Sequence, residues 1–379
     1  MQSIQTWAGI DVSAKTLAIC RWRNEKEEER SFANDGAGHR EVCKWLGKGA
    51  RVVLEATGVY HLQLAMALEK FGAEVMVINP RVAKDFARAL SNRSKTDAVD
   101  ARALLEYVRR MEFRRWQAPG AAVSELRELG RRLTELVRTS AEEKNRLHAR
   151  SVAATSRTVI ADLKQHILVL DQRIKGIEQA ALKLIGLDQD LTEQFELLRA
   201  APGIGARSVI LLLTELAVLD PTMTTRQIVA HAGLDPRVYE SGTSVQKTVR
   251  ISKVGNRRIR AILYMNALSA IRYDRGARLF YLRLLARGKK RMQALVAVMR
   301  KLLHGIWIVL QRRVRFDSSI LFAASLAQAE SSDSAIPATE PEPEQDHPKG
   351  RSEAEELPEQ LDPARAEATR SPNRKSKTA

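Results

Sequence analysis

Four acidic side chains and one serine stand out in this sequence as residues whose settings suggest chemistry. Asp11 ends the apolar run "WAGID", and Glu55 ends "RVVLE". A carboxylate at the end of a half-buried strand is costly unless something neutralises it. The carboxyl edge of a sheet is also where α/β folds place functional groups. Asp97 and Asp100, in "KTDAVDARAL", lie three residues apart and share one helix face. Taken singly, Asp11 reads equally as a turn cap, and Lys95 and Arg102 would neutralise the aspartate pair on a solvated helix. Taken together, the four carboxylates are hard oxygen donors that suit Mg²⁺ or Mn²⁺. Two such ions about 4 Å apart activate a nucleophile and stabilise a leaving oxygen at a phosphodiester.

Ser241 precedes Gly242 in "YESGTSVQKTVRISKVGNRRIR". Ser-Gly is common in turns, so the pair alone marks a turn. The run behind it is more specific. Lys247, Arg250, Lys253, Arg257, Arg258 and Arg260 fall within fourteen residues, with no acidic residue among them. Such a run suits phosphate binding. Gly203 and Gly205, in "APGIGARS", read either as a hairpin whose N–H groups approach a phosphate or as a simple turn between helices.

These residues need elements to hold them. "TWAGIDVS", "TLAICRWR", "EERSFAND", "ARVVLEATG" and "AEVMVINP" have strand character. Helical spacing marks "AGHREVCKWLGK", "YHLQLAMALEKFG", "RVAKDFARALS" and "TDAVDARALLEYVRRM". Strands first, then β-α-β alternation, predict a mixed sheet with helices packed on it. Two long charged helices, coiled-coil-like and antiparallel, are expected over 121–198. A helical region with one irregular loop follows over 199–325. The segment 326–379 holds seven of the twelve prolines and no aromatic residue, and is expected to be disordered.

Composition narrows the partners. Net charge is +17, while residues 330–379 carry twelve acidic and seven basic side chains. The body before that tail is therefore at about +22 and attracts polyanions, nucleic acid above all. Aromatics make up only 5% and the five tryptophans do not cluster, so binding should lean on backbone and shape rather than base stacking. Two cysteines without a CxxC pair argue against a zinc knuckle and fit a reducing cytosol. No membrane partner is expected: the strongest apolar stretch, Ser208–Leu219, is too short to span a bilayer and contains Glu215. His148 and His166 read as surface or interface residues of the long helices.

Through "GIDVSAKTLAIC", "LEATGVY" and "KTDAVDARAL" the chain resembles the DEDD insertion-sequence transposases, the bridge-RNA-guided recombinases. The resemblance spans about residues 7–310. It implies an RNase-H-like (RuvC-like) α/β domain over 1–120, with Asp11, Glu55, Asp97 and Asp100 as metal ligands and catalytic residues. It further implies dimerisation helices, then a mostly α-helical transposase domain bearing the signature "AGLDPRVYESGTS…RISKVGNRRIR". There Ser241 matches the serine implied to attack DNA, with Ser244 the near alternative. A structured guide RNA, element and target DNA, and a homo-oligomer (dimer or tetramer) are the implied partners. The rival expectations are a Holliday-junction nuclease or DNA invertase of the same fold, and a non-catalytic nucleic-acid-binding protein.

Overall fold

The computed structural model describes residues 6–56, 58, 60–90, 96–153, 156–201, 203–237, 240–241, 245–246 and 249–330. Lys95, Gly242, Ser244, Lys247 and residues 331–379 lie outside the described residues. The first part of the chain alternates β1 (Trp7–Val12), β2 (Thr16–Arg23), β3 (Lys26–Ala33), α1 (Gly36–Leu46), β4 (Arg51–Glu55), α2 (Leu62–Phe71), β5 (Glu74–Ile78), α3 (Pro80–Ala89) and α4 (Asp97–Arg110). The five strands form one sheet in the order β3-β2-β1-β4-β5. β1, β4 and β5 are parallel, and β2 and β3 are antiparallel to their neighbours. The sheet is mixed, as the strand-then-alternation pattern predicts.

Period-two alternation sends successive side chains to opposite faces. Ala8, Ile10, Val52, Leu54 and Val75 pack on one face with Leu46, Leu64 and Leu68 of α1 and α2. Cys20, Val53, Met76 and Ile78 pack on the other with Ala101, Leu104, Leu105 and Val108 of α4. Pro80 stands at the start of α3, with Asn79 as N-cap, so it opens the helix rather than merely closing β5.

The remainder is helical: α5 (Ala121–Val152), α6 (Arg157–Leu187), α7 (Gln189–Arg199), α8 (Ala206–Leu216), α9 (Thr225–His231), α10 (Arg257–Tyr273), α11 (Arg275–Ala286), α12 (Arg291–Arg312), α13 (Ser318–Leu321) and α14 (Ala323–Glu330). α5 and α6 run antiparallel. Ser140 donates to Asp171, while Glu143, further along α5, lies 3.8 Å from His166, further back on α6. A single core joins these helices, with Leu126, Leu133, Leu213, Leu263, Leu302 and Trp307 among its buried members. α12 is long and apolar enough to cross a membrane by length and composition, which the reading centred on Ser208–Leu219 missed. Leu295, Val298, Leu302, Leu303 and Ile306 instead face this core.

Between α9 and α10 the sequence predicts an irregular loop. The structure has four two-residue strands there: β6 (Pro236–Arg237), β7 (Glu240–Ser241), β8 (Val245–Gln246) and β9 (Arg250–Ile251). β6 pairs with β9, and β7 pairs with β8 inside it, both antiparallel. The loop is thus a narrow arm.

Candidate active site

Asp11 and Glu55 reach the same face of the sheet because β1 and β4 are parallel and in register. Gly9 lies opposite Val53 and Ile10 opposite Leu54. Asp11 shares the parity of Gly9, and Glu55 that of Val53, so both are on the α4 side. Both are half-buried.

α4 delivers the other two carboxylates. Thr96 caps it, its hydroxyl accepting from the Val99 N–H at 3.3 Å, so Asp97 and Asp100 occupy the first turn. Negative charge is favoured there by the helix dipole. The helix is pinned at three points. A Cβ on Gly9 would stand 2.2 Å from the Leu105 nitrogen and 2.3 Å from the Ala101 oxygen, so only glycine lets the α4 backbone lie directly on β1. Arg102 bonds Glu27 at 2.7 Å and Glu29 at 2.6 Å, both on β3. At the far end the Arg109 guanidinium sits 4.3 Å from the Trp22 ring centroid.

The partners of Arg102 bear on the bland reading of the aspartate pair. Of the two cations in that reading, Lys95 lies outside the described residues, and the structure turns Arg102 away to β3. Among the described residues, the one group of three possible ligands with all donor atoms within 4.8 Å is Cys20, Glu27 and Glu29. Arg102 already neutralises that group, and burial with Glu27 and Glu29 pushes the Cys20 thiol up to about 12.

The four candidate carboxylates instead share an electrostatic field. Asp11 is pushed up to about 6, first by burial and then by the charges of Asp97, Asp100 and Glu55. Residues from a second strand and a helix, up to 89 positions away, thus act on Asp11 through their charge, while no three of the four bring donor atoms within 4.8 Å of one another. Carboxylate oxygens are the donors a hard divalent cation takes.

The transposase sequence models account for most of the described chain. The DEDD transposase model matches residues 8–150, and a second, described as transposase of the IS116/IS110/IS902 family, matches residues 195–282. The chain belongs to the DEDD transposase family. The pilin gene-inverting protein of Moraxella bovis is 27% identical, over 83% of this chain and 99% of that protein. A putative transposase of Sinorhizobium fredii is 29% identical, over 79% and 82% respectively. The transposase for insertion sequence element IS1328 of Yersinia enterocolitica is 25% identical, over 56% and 68%.

The second candidate region of the transposase is the arm. Its root is tightly built. Lys253, at φ 53°, donates its N–H to the Gly233 carbonyl, and Ser252 donates to Asp235. Asn256 caps α10 and donates its own N–H to the His231 carbonyl at 2.7 Å. Ser241 is the last residue of β7, next to the tip, whereas His231 ends α9 at the root. Burial pushes the His231 imidazole below its ordinary value. Arg250 and Arg257 are exposed, and Arg258 is partly so. Arg260 spends one guanidinium nitrogen on the Ala232 carbonyl at 2.8 Å.

The two glycines of "APGIGARS" differ. A Cβ on Gly203, at φ 76°, would meet the Ala270 nitrogen at 2.9 Å, so its smallness serves packing against α10. Gly205 opens α8 and has open space where a Cβ would be. The sequence reading missed Arg127 and Arg131 of α5, which reach the Glu215 side of the arm's root. Their spacing of four residues around Gly130 was the available signal.

Proposed function

We propose that this transposase cleaves and rejoins DNA strands at the ends of an insertion sequence. Asp11, Glu55, Asp97 and Asp100 would act as the divalent-cation site, and Ser241 as the nucleophile. The observation that carries the reading is the close packing of α4 on β1 at Gly9, which sets the first turn with Asp97 and Asp100 on the face of the sheet that bears Asp11 and Glu55; the charges of these three residues add to burial in raising the Asp11 carboxyl. The strand order β3-β2-β1-β4-β5 agrees with an RNase-H-like (RuvC-like) domain over 1–120. Bound there, Mg²⁺ or Mn²⁺ would polarise a phosphodiester oxygen and offset the charge of a leaving oxygen. In this reading the Ser241 hydroxyl forms a serine–phosphate ester as the strand's P–O bond breaks, releasing a terminal hydroxyl. One phosphodiester replaces another, so rejoining needs no external energy source.

The placement of Ser241 at the end of β7, in the short antiparallel pair with β8, supports a nucleophile brought to a second domain, within one chain or across an oligomer built through α5 and α6. A structured guide RNA encoded by the element would choose the sites by base pairing, and Lys247, Arg250, Lys253, Arg257 and Arg258 would hold backbone phosphates. A DNA invertase is the second reading, favoured by the pilin gene-inverting protein, which aligns over 99% of its length.

A recombination assay tests both readings. It combines the element's ends, its flanking RNA and target DNA with wild type, Ser241→Ala and Asp97→Ala. Both variants should be inactive, and wild type should form a covalent protein–DNA adduct that Ser241→Ala does not. An undiminished adduct in Ser241→Ala would refute the serine. Inversion of a segment without insertion would select the invertase.

A further inference from the structure

At the root of the serine arm lies a cluster of charges of which only Arg258 belongs to the basic run already assigned to phosphates. Glu215 of α8 is 3% exposed and accepts from the Asn256 amide at 2.6 Å. Its other oxygen has no hydrogen bond and is approached by two guanidinium groups, Arg131 at 3.7 Å and Arg258 at 3.8 Å. Arg127, one turn before Arg131 on α5, feels the same charges. Burial, Arg131 and Arg258 all disfavour its charge, and Glu215 is the one carboxylate among the charges acting on it. The Nε atoms of Arg127 and Arg131 are buried without a hydrogen-bond partner. Three guanidinium groups therefore share one carboxylate, and two of them keep access to solvent, Arg131 at 27% and Arg258 at 39% exposed.

The approach of α5 explains how they meet. A Cβ on Gly130 would lie 1.8 Å from the Thr214 hydroxyl oxygen, so glycine alone permits this contact between α5 and α8. Arg127 and Arg131 flank Gly130, and Glu215 follows Thr214. Like charges crowded against too few counter-charges are costly. A structural ion pair needs one arginine here, not three. Arginine is also the side chain whose fork matches a phosphate bidentately.

We infer that Arg127, Arg131 and Arg258, steadied by Glu215 and Asn256, form a phosphate-binding site at the root of the serine arm for the backbone of the DNA duplex. The site anchors the strand at the base of the arm while Ser241 lies near its tip. This inference rests on the reading of the chain as a DNA recombinase.

The test measures binding of the full chain to a duplex DNA of random sequence across a salt series. Each lost phosphate contact lowers the slope of log K against log[salt] by about 0.9. Arg131→Gln/Arg258→Gln should flatten the slope by about one to two and leave the melting temperature within a few degrees of wild type. An unchanged slope with a lowered melting temperature would overturn the site and leave an ion-pair network only. A second measurement avoids the variants. On wild type, arginine modification by phenylglyoxal at residues 131 and 258 should slow several-fold with duplex DNA bound. Unprotected arginines would refute the inference, and protection by an RNA hairpin but not by DNA would refute its assignment to DNA. Failure of wild type to bind either nucleic acid would instead refute the functional reading itself.

Discussion

Replacing Asp11 by Asn should make the protein more stable at neutral pH while abolishing recombination. In EDTA the folded Asp11 carboxyl titrates near 6, against an ordinary value of 3.8. The folded state thus binds this proton more tightly than the unfolded state does. Stability is fully present below the unfolded value and falls as pH rises from about 4 through 6. Two pH units at about 1.4 kcal/mol each give about 3 kcal/mol, and screening at a half-buried site reduces this to about 2 kcal/mol. Asn at this position has no charge to lose. The gap between variant and wild type should therefore be near zero at pH 4, open between 4 and 6, and stay constant above. At pH 7.5 it corresponds to a melting temperature higher by about 4 °C. Thermal denaturation across that pH range reads it directly. A gap that is absent at pH 7.5, or equal at pH 4 and 7.5, would refute the raised Asp11 carboxyl and with it the burial and crowding of charge that raise it.

Other outcomes follow from how α4 is held. Gly9→Ala places a methyl 2.2 Å from the Leu105 nitrogen, so the helix must lift by about 1 Å or more, at a cost of about 3 kcal/mol; a lowered melting temperature and a lost Mn²⁺-dependent thermal shift should both be seen. Arg102→Ala breaks two exposed ion pairs worth together about 1 kcal/mol or less, so its melting temperature should change little. Its recombination rate should nevertheless fall, because Asp97 and Asp100 lose the tether that sets the turn they stand on, and an unchanged rate would remove Arg102 from that role.

Much of this architecture is legible in the chain, and the illegible parts share a cause. Strand alternation in "WAGIDV" and "RVVLE" shows which side Asp11 and Glu55 face, because a period of two is local information. What Gly9 meets is not local, since its partners are Ala101 and Leu105. Arg102 reads as a neighbour of Asp97 and Asp100, yet its fork reaches back to Glu27 and Glu29, a choice made by tertiary geometry. The arm reads as irregular because a two-residue strand is too short for alternation to register. Arg127 and Arg131 look like the solvated face of a charged helix until Gly130 is seen to bring them to Glu215.

The contact between Gly9 and α4 also sets an order in time. Asp11 and Glu55 leave the ribosome first, and Asp97 and Asp100 follow more than forty residues later. Until that last helix closes over the first strand, the nascent chain holds only two of its four carboxylates. A premature stop anywhere before α4 thus yields a fragment with an incomplete acidic locus. If the four carboxylates act as proposed, the docking of one helix would serve as a safety catch, released only when the whole sheet domain has been made.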